Sequence, residues 1–351
     1  MGQPIEFDTS QMQSIADAVA RHLERDDVVL LPTETVYGLF VRSGSPRARE
    51  RLFSLKGRPS SKAVAEYVAD VEDAEQRFGP LPPQAIRLGN ALWPGPLTLV
   101  VQGDPSLGLR CARHPLLEEV LARVPKGIVG TSANLTGEPA PGSVQCVSPG
   151  LLGGVDLAIS DDAAVTGSAS TVLGLRPGAP EIPPCSRPVE WVRSGAVTRE
   201  DVAPLLLPRL TFVCTGNTCR SPMARAIAEE IWPEEALGAV DFRSCGLSCG
   251  EGEPASEGAL GVAKKFGWDL SAHGSQPASP VDLLGSDVIL VMTESHRRHI
   301  LSALPRLAPR IFVLGAPEGI PDPFGGSSEV YEQCARSLKR SIGRLIKEWM
   351  P

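Results

Sequence analysis

Apolar and polar positions along the chain alternate with two periods, one typical of helices and one typical of short strands. In residues 10–25, the apolar residues Ile15, Ala18, Val19 and Leu23 recur at helical spacing with polar residues between them. Residues 28–31 form a continuous apolar run, which predicts a buried strand. Further short strands are predicted at 97–101, 128–131, 171–173 and 191–193.

From about residue 207 the alternation becomes regular. Predicted strands at 210–214, 240–245, 287–292 and 310–314 are followed in turn by predicted helices at 222–231, 256–266, 294–304 and 329–349. This order is typical of a three-layer α/β/α fold with a parallel sheet. We therefore expect two domains, at residues 1–206 and 207–351, the first a twisted α/β domain.

The composition restricts the classes of protein to which the chain can belong. The chain has 351 residues, enough for two hydrophobic cores, and no apolar run as long as a membrane span. Its first twenty residues lack a basic segment, so no secretory signal is expected. Eight irregularly spaced cysteines favour a reducing compartment over a disulfide framework or a zinc site. We expect a cytoplasmic protein without membrane contact, and the net charge of −7 argues against general attraction to nucleic acid.

The loop between the strand 210–214 and the next helix carries the strongest chemical signal. It reads Cys-Thr-Gly-Asn-Thr-Cys-Arg-Ser-Pro, from Cys214 to Pro222. Ser221 before Pro222 predicts an N-cap, and a helix N-terminus favours both a bound anion and a thiolate at Cys214. Arg220 offers paired donors to phosphate oxygens. A structural cysteine beside a turn is the alternative, which the combination of strand, turn residues and helix start disfavours.

This loop resembles the phosphate loop of the low-molecular-weight protein tyrosine phosphatase family, and the resemblance covers residues 208–351. It implies a Cys214 nucleophile, phosphoryl binding by Arg220 and a general acid, Asp322, in Pro-Asp-Pro-Phe. It also implies a phosphorylated protein as substrate, with neither metal nor cofactor. The remaining residues of the implied phosphate loop are Thr215, Gly216, Asn217, Thr218, Cys219 and Ser221.

Two departures from the tyrosine-directed members bear on the substrate. Thr218 stands where these members carry a larger aliphatic residue, and the segment after Asp322 lacks paired aromatics. Both features resemble the branch that acts on protein phosphoarginine, so we expect phosphoarginine to be preferred over phosphotyrosine. Cys219 has two open interpretations, which are simple packing or a reversible disulfide with Cys214.

In the first half, Lys56-Gly57-Arg58-Pro59 places two cations close together in a loop, which suits a polyphosphate. Ser132 and Asn134 stand at alternate positions after a predicted strand, so both can face one ligand. With Pro-Thr-Glu-Thr-Val-Tyr-Gly-Leu at 32–39 and Ser-Thr-Val at 170–172, these motifs resemble the threonylcarbamoyl-AMP synthase family over residues 5–200.

That resemblance implies a concave nucleotide site and the joining of L-threonine, bicarbonate and ATP, with Mg²⁺ on the phosphates. It implies that the product serves tRNA modification, which makes tRNA or a tRNA-modification complex a possible partner. The implied nucleotide-binding residues are Lys56, Arg58, Ser132, Asn134 and Arg193, and the implied threonine-binding residues are Thr33, Thr35, Tyr37 and Ser170. A catalytically silent domain that binds nucleotide or RNA is the alternative.

Overall fold

A computed structural model describes residues 3–57, 64–101, 106–175 and 189–349. The chain divides into two compact units, and the division falls between Leu205 and Leu206. One of the expected nucleotide-binding residues, Arg58, lies outside the described residues.

The strands of the first unit are β1 (Ile5–Glu6), β2 (Val29–Leu31), β3 (Gly38–Arg42), β4 (Ala65–Tyr67), β5 (Leu97–Val101), β6 (Leu107–Arg110), β7 (Ile128–Ser132), β8 (Leu157–Ser160), β9 (Thr171–Leu175) and β10 (Val189–Arg193). Its helices are α1 (Met12–Glu24), α2 (Pro46–Leu55), α3 (Val71–Phe78), α4 (Pro83–Leu92), α5 (Pro115–Arg123), α6 (Pro149–Gly154) and α7 (Arg199–Leu206). Short 3₁₀ helices lie at Thr9–Gln11 and Val144–Cys146.

These strands form one mixed sheet in the order β1-β8-β2-β3-β7-β4-β6-β5-β9-β10. Alternate residues of β2 enter different cores, because successive side chains of a strand point to opposite faces. Val29 and Leu31 join a cluster that includes α1 and α5, whereas Leu30 joins one that includes α2 and α6. Helices therefore cover both faces of this part of the sheet, and the predicted twisted α/β class is confirmed.

The sequence pattern did not predict strand β3, which begins at Gly38 within the 32–39 motif. The residues of β3 pair with β2 on one side and with β7 on the other, so tertiary pairing decides this segment.

The second unit contains the strands β11 (Arg209–Cys214), β12 (Asp241–Gly246), β13 (Val288–Val291) and β14 (Ile311–Val313). Its helices are α8 (Arg220–Ile231), α9 (Glu234–Leu237), α10 (Glu257–Phe266), α11 (Pro280–Leu284), α12 (Glu294–Ala303) and α13 (Ser328–Trp349), with a 3₁₀ helix at Pro305–Arg310. All neighbouring strands pair in parallel, in the order β12-β11-β13-β14.

Both faces of this parallel sheet are buried. Leu210 and Phe212 belong to one core with residues of α8, α10 and α13, while Val213 and Ile289 are fully buried on the opposite face. The α/β/α prediction is therefore confirmed. Within the described ranges, every helix is too short or too polar to traverse a lipid bilayer.

The predicted role of Ser221 as N-cap is wrong. Helix α8 begins at Arg220, its N-cap residue is Cys219, and the cap has no side-chain hydrogen bond. Ser221 lies inside the first turn, fully buried, because its hydroxyl faces the loop rather than the free N–H groups of the helix. With the helix start two residues earlier than predicted, Ser221 lies against Cys214.

Candidate functional sites

In the second unit, the loop from Cys214 to Ser221 encloses a sulfur atom. Cys214 is the last residue of β11, and its Sγ lies 3.0 Å from Ser221 Oγ. The backbone N–H of Asn217 donates to the same sulfur at 3.2 Å. A thiolate there would be stabilised by donors from two sides.

Asn217 holds the loop in this shape. Its φ of +50° lies in the left-handed region, which asparagine tolerates better than most residues. Its Nδ2 donates to Ser221 Oγ at 2.8 Å, and its Oδ1 accepts from Gln276 N at 2.8 Å. His273 Nε2 lies 2.7 Å from its carbonyl oxygen.

Close approach of β12 to the loop requires glycine at the end of the strand. A Cβ at Gly246 would lie 2.7 Å from the Thr215 carbonyl oxygen and 2.9 Å from Asn217 N. Real Cβ atoms do not approach backbone atoms this closely, so a side chain at this position would displace the loop.

Arg220 and Asp322 come together across the site, although 102 positions separate them. Arg220 Nη2 donates to Asp322 Oδ2 at 2.5 Å, and its Nη1 lies 3.4 Å from the Ile320 carbonyl oxygen. The arginine side chain is 5% exposed and the aspartate side chain 50% exposed. The buried Arg220 Nε has no hydrogen-bond partner among the described residues, so the guanidinium keeps donor capacity for an anion.

A cavity of about 300 Å³ connects these groups. It is lined by Cys214, Thr215, Gly216, Thr218, Cys219, Arg220, Glu253, Asp322 and Phe324. The three expected catalytic residues thus share one cavity, whereas Asn217 and Ser221 support it from behind. Sequence reasoning missed Glu253, because nothing in the pattern shows that the loop after β12 reaches this site.

His296 supports Thr215 at the edge of the cavity. Its Nε2 lies 2.9 Å from Thr215 Oγ1, and its Nδ1 lies 2.8 Å from Thr293 Oγ1. Burial, reinforced by the positive charge of Arg220, lowers the pKa of His296. The neutral imidazole is therefore favoured beside the anion-binding arginine.

Cys219 is occupied by other partners. Its thiol donates to Ser256 Oγ at 3.1 Å, and its sulfur lies 3.4 Å from Tyr331 Oη. The side chain packs into the core below the loop. The Cys214–Cys219 disulfide stays a prediction.

In the first unit, strand register assembles a second cavity, of about 320 Å³. Arg110, at the end of β6, pairs with Tyr67 of β4 and with Thr98 of β5. These three residues line the cavity together with five of the expected residues, Thr33, Tyr37, Ser132, Ser170 and Arg193.

Arg110 connects the cavity to the 32–39 motif. Its Nη2 lies 2.5 Å from Thr35 Oγ1 and 3.1 Å from Glu34 Oε1. Arg110 Nε and Glu34 Oε2 are buried without hydrogen-bond partners among the described residues. Thr35 thus acts on the cavity through Arg110 rather than as part of its lining.

Arg193 brings a second cation to the rim of the same cavity. Its Nη2 donates to Ser170 Oγ and to the Ser170 carbonyl oxygen, both at 2.9 Å. Partial burial, reinforced by the charge of Arg110, lowers the pKa of Arg193. Two guanidinium groups that repel each other favour an anion between them.

Three of the five expected nucleotide-binding residues, Lys56, Ser132 and Asn134, lie together at the end of β7. Lys56 Nζ donates to the Ser132 carbonyl oxygen, and Ser132 Oγ lies 2.5 Å from Asn134 Oδ1. Lys56 is buried, and of these three residues Ser132 alone is among the described lining residues of the cavity.

The hydroxyl of Tyr37 is held by a distant loop. It donates to Asp162 Oδ1 at 2.6 Å and accepts from Asp161 N at 2.8 Å. Burial and the neighbouring carboxylate of Asp162 raise the pKa of Tyr37. Tyr37 therefore contributes its neutral ring to the cavity and anchors residues 161–162.

Two known families match the chain, one on each side of the boundary between the two units. The Sua5/YciO/YrdC family, described as telomere recombination, matches residues 21–183. The low molecular weight phosphotyrosine protein phosphatase family matches residues 209–350.

Individual relatives follow this division. Threonylcarbamoyl-AMP synthase of Bacillus subtilis is 32% identical over 215 residues, covering 58% of this chain and 59% of that protein. The chain thus spans less than two thirds of that relative's length. The phosphatase PtpB of Staphylococcus epidermidis is 39% identical over 141 residues, covering 39% of this chain and 96% of that protein. The protein-arginine-phosphatase of Geobacillus stearothermophilus is 37% identical over 145 residues, covering 40% of this chain and 95% of that protein.

Proposed function

Because the chain belongs to the low molecular weight phosphotyrosine protein phosphatase family over residues 209–350, and its residues 21–183 match the Sua5/YciO/YrdC family, we propose that it is a bifunctional enzyme. One activity is a cysteine-dependent protein phosphatase, and the other is synthesis of threonylcarbamoyl-AMP. The observation that carries the proposal is the shared cavity of Cys214, Arg220 and Asp322.

The phosphatase reaction begins with Cys214. Its thiolate attacks phosphorus in line, so an S–P bond forms while the bond from phosphorus to the leaving nitrogen or oxygen breaks. Asp322 donates a proton to that leaving atom. Arg220 and the loop N–H groups neutralise the equatorial phosphoryl oxygens.

The second step regenerates the enzyme. Water attacks the cysteinyl-phosphate, Asp322 accepts its proton, and the S–P bond breaks to release inorganic phosphate. Ser221, 3.0 Å from the sulfur, stabilises the returning thiolate as a leaving group.

We propose phosphoarginine as the preferred substrate over phosphotyrosine. Thr218 gives the cavity a small polar wall, and Phe324 is its one aromatic group among the described lining residues. The chain is similar both to a PtpB and to a protein-arginine-phosphatase.

The deciding experiment compares kcat/KM of the full chain on peptides that differ only in phosphoarginine or phosphotyrosine, with Cys214→Ser as the inactive control. The proposal predicts faster turnover of phosphoarginine, and faster turnover of phosphotyrosine would overturn the preference. Thr218→Ile should shift the ratio toward tyrosine, because a larger apolar wall favours an aromatic leaving group.

For the first unit we propose that the two cations of the cavity, Arg110 and Arg193, face the anionic groups of the substrates. The amine nitrogen of L-threonine attacks the carbon of bicarbonate, so an N–C bond forms and a C–O bond breaks as water leaves, which gives a carbamate. A carbamate oxygen then attacks the α-phosphorus of ATP, and the bond to the β-phosphate oxygen breaks as pyrophosphate leaves. Lys56, with Arg58, neutralises phosphate charge, while Ser132 and Asn134 hold phosphate or ribose oxygens.

Mg²⁺ enters this proposal only as part of the MgATP substrate. The described lining of the cavity offers hydroxyls and guanidinium groups but no carboxylate. Phosphate oxygens and water are then the natural ligands of the ion, as Mg²⁺ prefers.

Pyrophosphate release by full-length Cys214→Ser protein tests the synthase. Release should require ATP, bicarbonate and L-threonine together. Threonine-independent release, or none, would favour the silent nucleotide- or RNA-binding domain. Delivery of the product to tRNA, directly or through a tRNA-modification complex, remains part of the proposal.

A further inference from the structure

Within the proposed phosphatase activity, on which this inference rests, Glu253 has no assigned role. We propose that Glu253 is a specificity-determining residue that favours phosphorylated side chains with a cationic leaving group. Among phosphorylated side chains, the guanidinium of phosphoarginine supplies that cation at the leaving nitrogen itself.

The backbone of Glu253 is held in place although its side chain is exposed. Its N–H donates to Ser275 Oγ at 3.0 Å, and its carbonyl oxygen accepts from Ser275 N at 2.8 Å. Ser275 is fully buried, and it also binds the neighbouring Gly252 N–H through its carbonyl at 2.8 Å. The carboxylate therefore extends from a fixed point of the cavity rim.

The described lining of the cavity contains one more acidic side chain than basic side chains. Arg220 is the cation among its described lining residues, and Asp322 and Glu253 are the acids. Arg220 pairs with Asp322, whereas Glu253 forms no ion pair within the described ranges. When the phosphoryl group binds, it takes up the charge of Arg220, and Glu253 remains as a second acidic residue of the cavity lining beside Asp322.

This carboxylate distinguishes leaving groups by charge. A phosphoryl dianion is repelled by Glu253 whatever side chain carries it. The guanidinium of phosphoarginine offsets that repulsion and can donate to a carboxylate through N–H groups. The phenol of phosphotyrosine brings no positive charge, so it gains nothing from Glu253.

The test measures kcat/KM of full-length Glu253→Gln on the matched phosphoarginine and phosphotyrosine peptides. The ratio of arginine to tyrosine turnover should fall about threefold, the scale of a solvent-exposed charge pair. Glu253→Lys should lower it further, and raising the salt concentration should shrink both effects, because salt screens exposed charges.

Glu251→Gln is the matched control, since Glu251 is an exposed acid of the same loop that does not line the cavity. An equal change in this control, or an unchanged ratio in Glu253→Gln, would overturn the inference. Wild-type preference for phosphotyrosine would instead overturn the proposed substrate preference, while the shift caused by Glu253→Gln would still decide the role of Glu253.

Discussion

Arg220 Nη2 donates to Asp322 Oδ2 at 2.5 Å, which joins the proposed phosphoryl-binding group to the proposed general acid. The buried arginine fixes one end of this pair, and Phe324 N, 3.3 Å from Asp322 Oδ1, restrains the other. A phosphoryl group bound by Arg220 would therefore arrive beside the carboxyl group that protonates its leaving atom.

Asp322→Asn should separate binding from proton donation. The amide keeps the size of the side chain but cannot protonate a leaving group, so kcat/KM, which reports formation of the cysteinyl-phosphate, should fall about 10²- to 10⁴-fold on a phenyl phosphate with a basic leaving group. For p-nitrophenyl phosphate, whose leaving group needs little protonation, kcat/KM should fall far less. Equal losses across a series of leaving groups would contradict a general-acid role.

Asn217 should stabilise the loop around Cys214 both through its side-chain hydrogen bonds and through its tolerance of a left-handed backbone conformation. Asn217→Ala removes the bonds to Ser221 and Gln276 and places alanine at a φ of +50°. Asn217→Gly removes the same bonds without the backbone penalty of about 1–2 kcal/mol. The urea concentration that halves phosphatase activity should therefore fall more for alanine than for glycine, and the reverse order would contradict this account of the loop.

Arg110→Lys should weaken use of L-threonine while leaving the positive charge in place. A lysine cannot replace the paired donors of a guanidinium, so KM for threonine should rise about tenfold, with a smaller change for ATP. Arg113→Lys, at an exposed position three residues along, serves as the control. A rise confined to the KM for ATP would move Arg110 to the nucleotide side.

Acid should destabilise the second unit through two histidines, the buried His296 and the partly buried His273. Burial lowers the pKa values of His273 and His296, so between the folded and unfolded pKa values the unfolded chain binds more protons. The contribution of these two histidines to folding stability is complete above about pH 6.5, the ordinary histidine pKa. It is lost as the pH falls below that value.

His296→Gln should reduce this dependence. The urea midpoint of phosphatase inactivation should drop less between pH 7.5 and pH 5.5 than in the wild type. His299→Gln, on the exposed face of the same helix, should keep the wild-type difference. Identical pH dependence in the His296 variant would show that this imidazole is not responsible.

The sequence predicted the local parts of the phosphatase site well, because its signals are contiguous. The strand, the turn residues and the helix start that surround Cys214 and Arg220 lie within a dozen positions. The N-cap prediction for Ser221 failed because it relied on the general preference of serine for that position. In the folded chain the Ser221 hydroxyl instead lies against the buried sulfur of Cys214. Glu253 and His296 lie outside this segment, and only the folded chain shows that Glu253 lines the cavity and that His296 contacts Thr215.

In the first unit, too, the sequence predicted only the parts of the site that lie in contiguous motifs. The short motifs identified Thr33 and Ser170, but the central position of Arg110 depends on the register of β6 between β4 and β5. Strand register is set by pairing over long sequence distances, which hydrophobic periodicity alone does not reveal.

The central claim is that one chain carries two separate active sites. Its most direct test measures, on the same full-length preparations, threonine-dependent pyrophosphate release and phosphate release from a phosphoarginine peptide. Lys56→Met should abolish the first and preserve the second, and Cys214→Ser should do the opposite. Failure of wild-type protein to show either reaction, or loss of both reactions in each variant, would contradict the account.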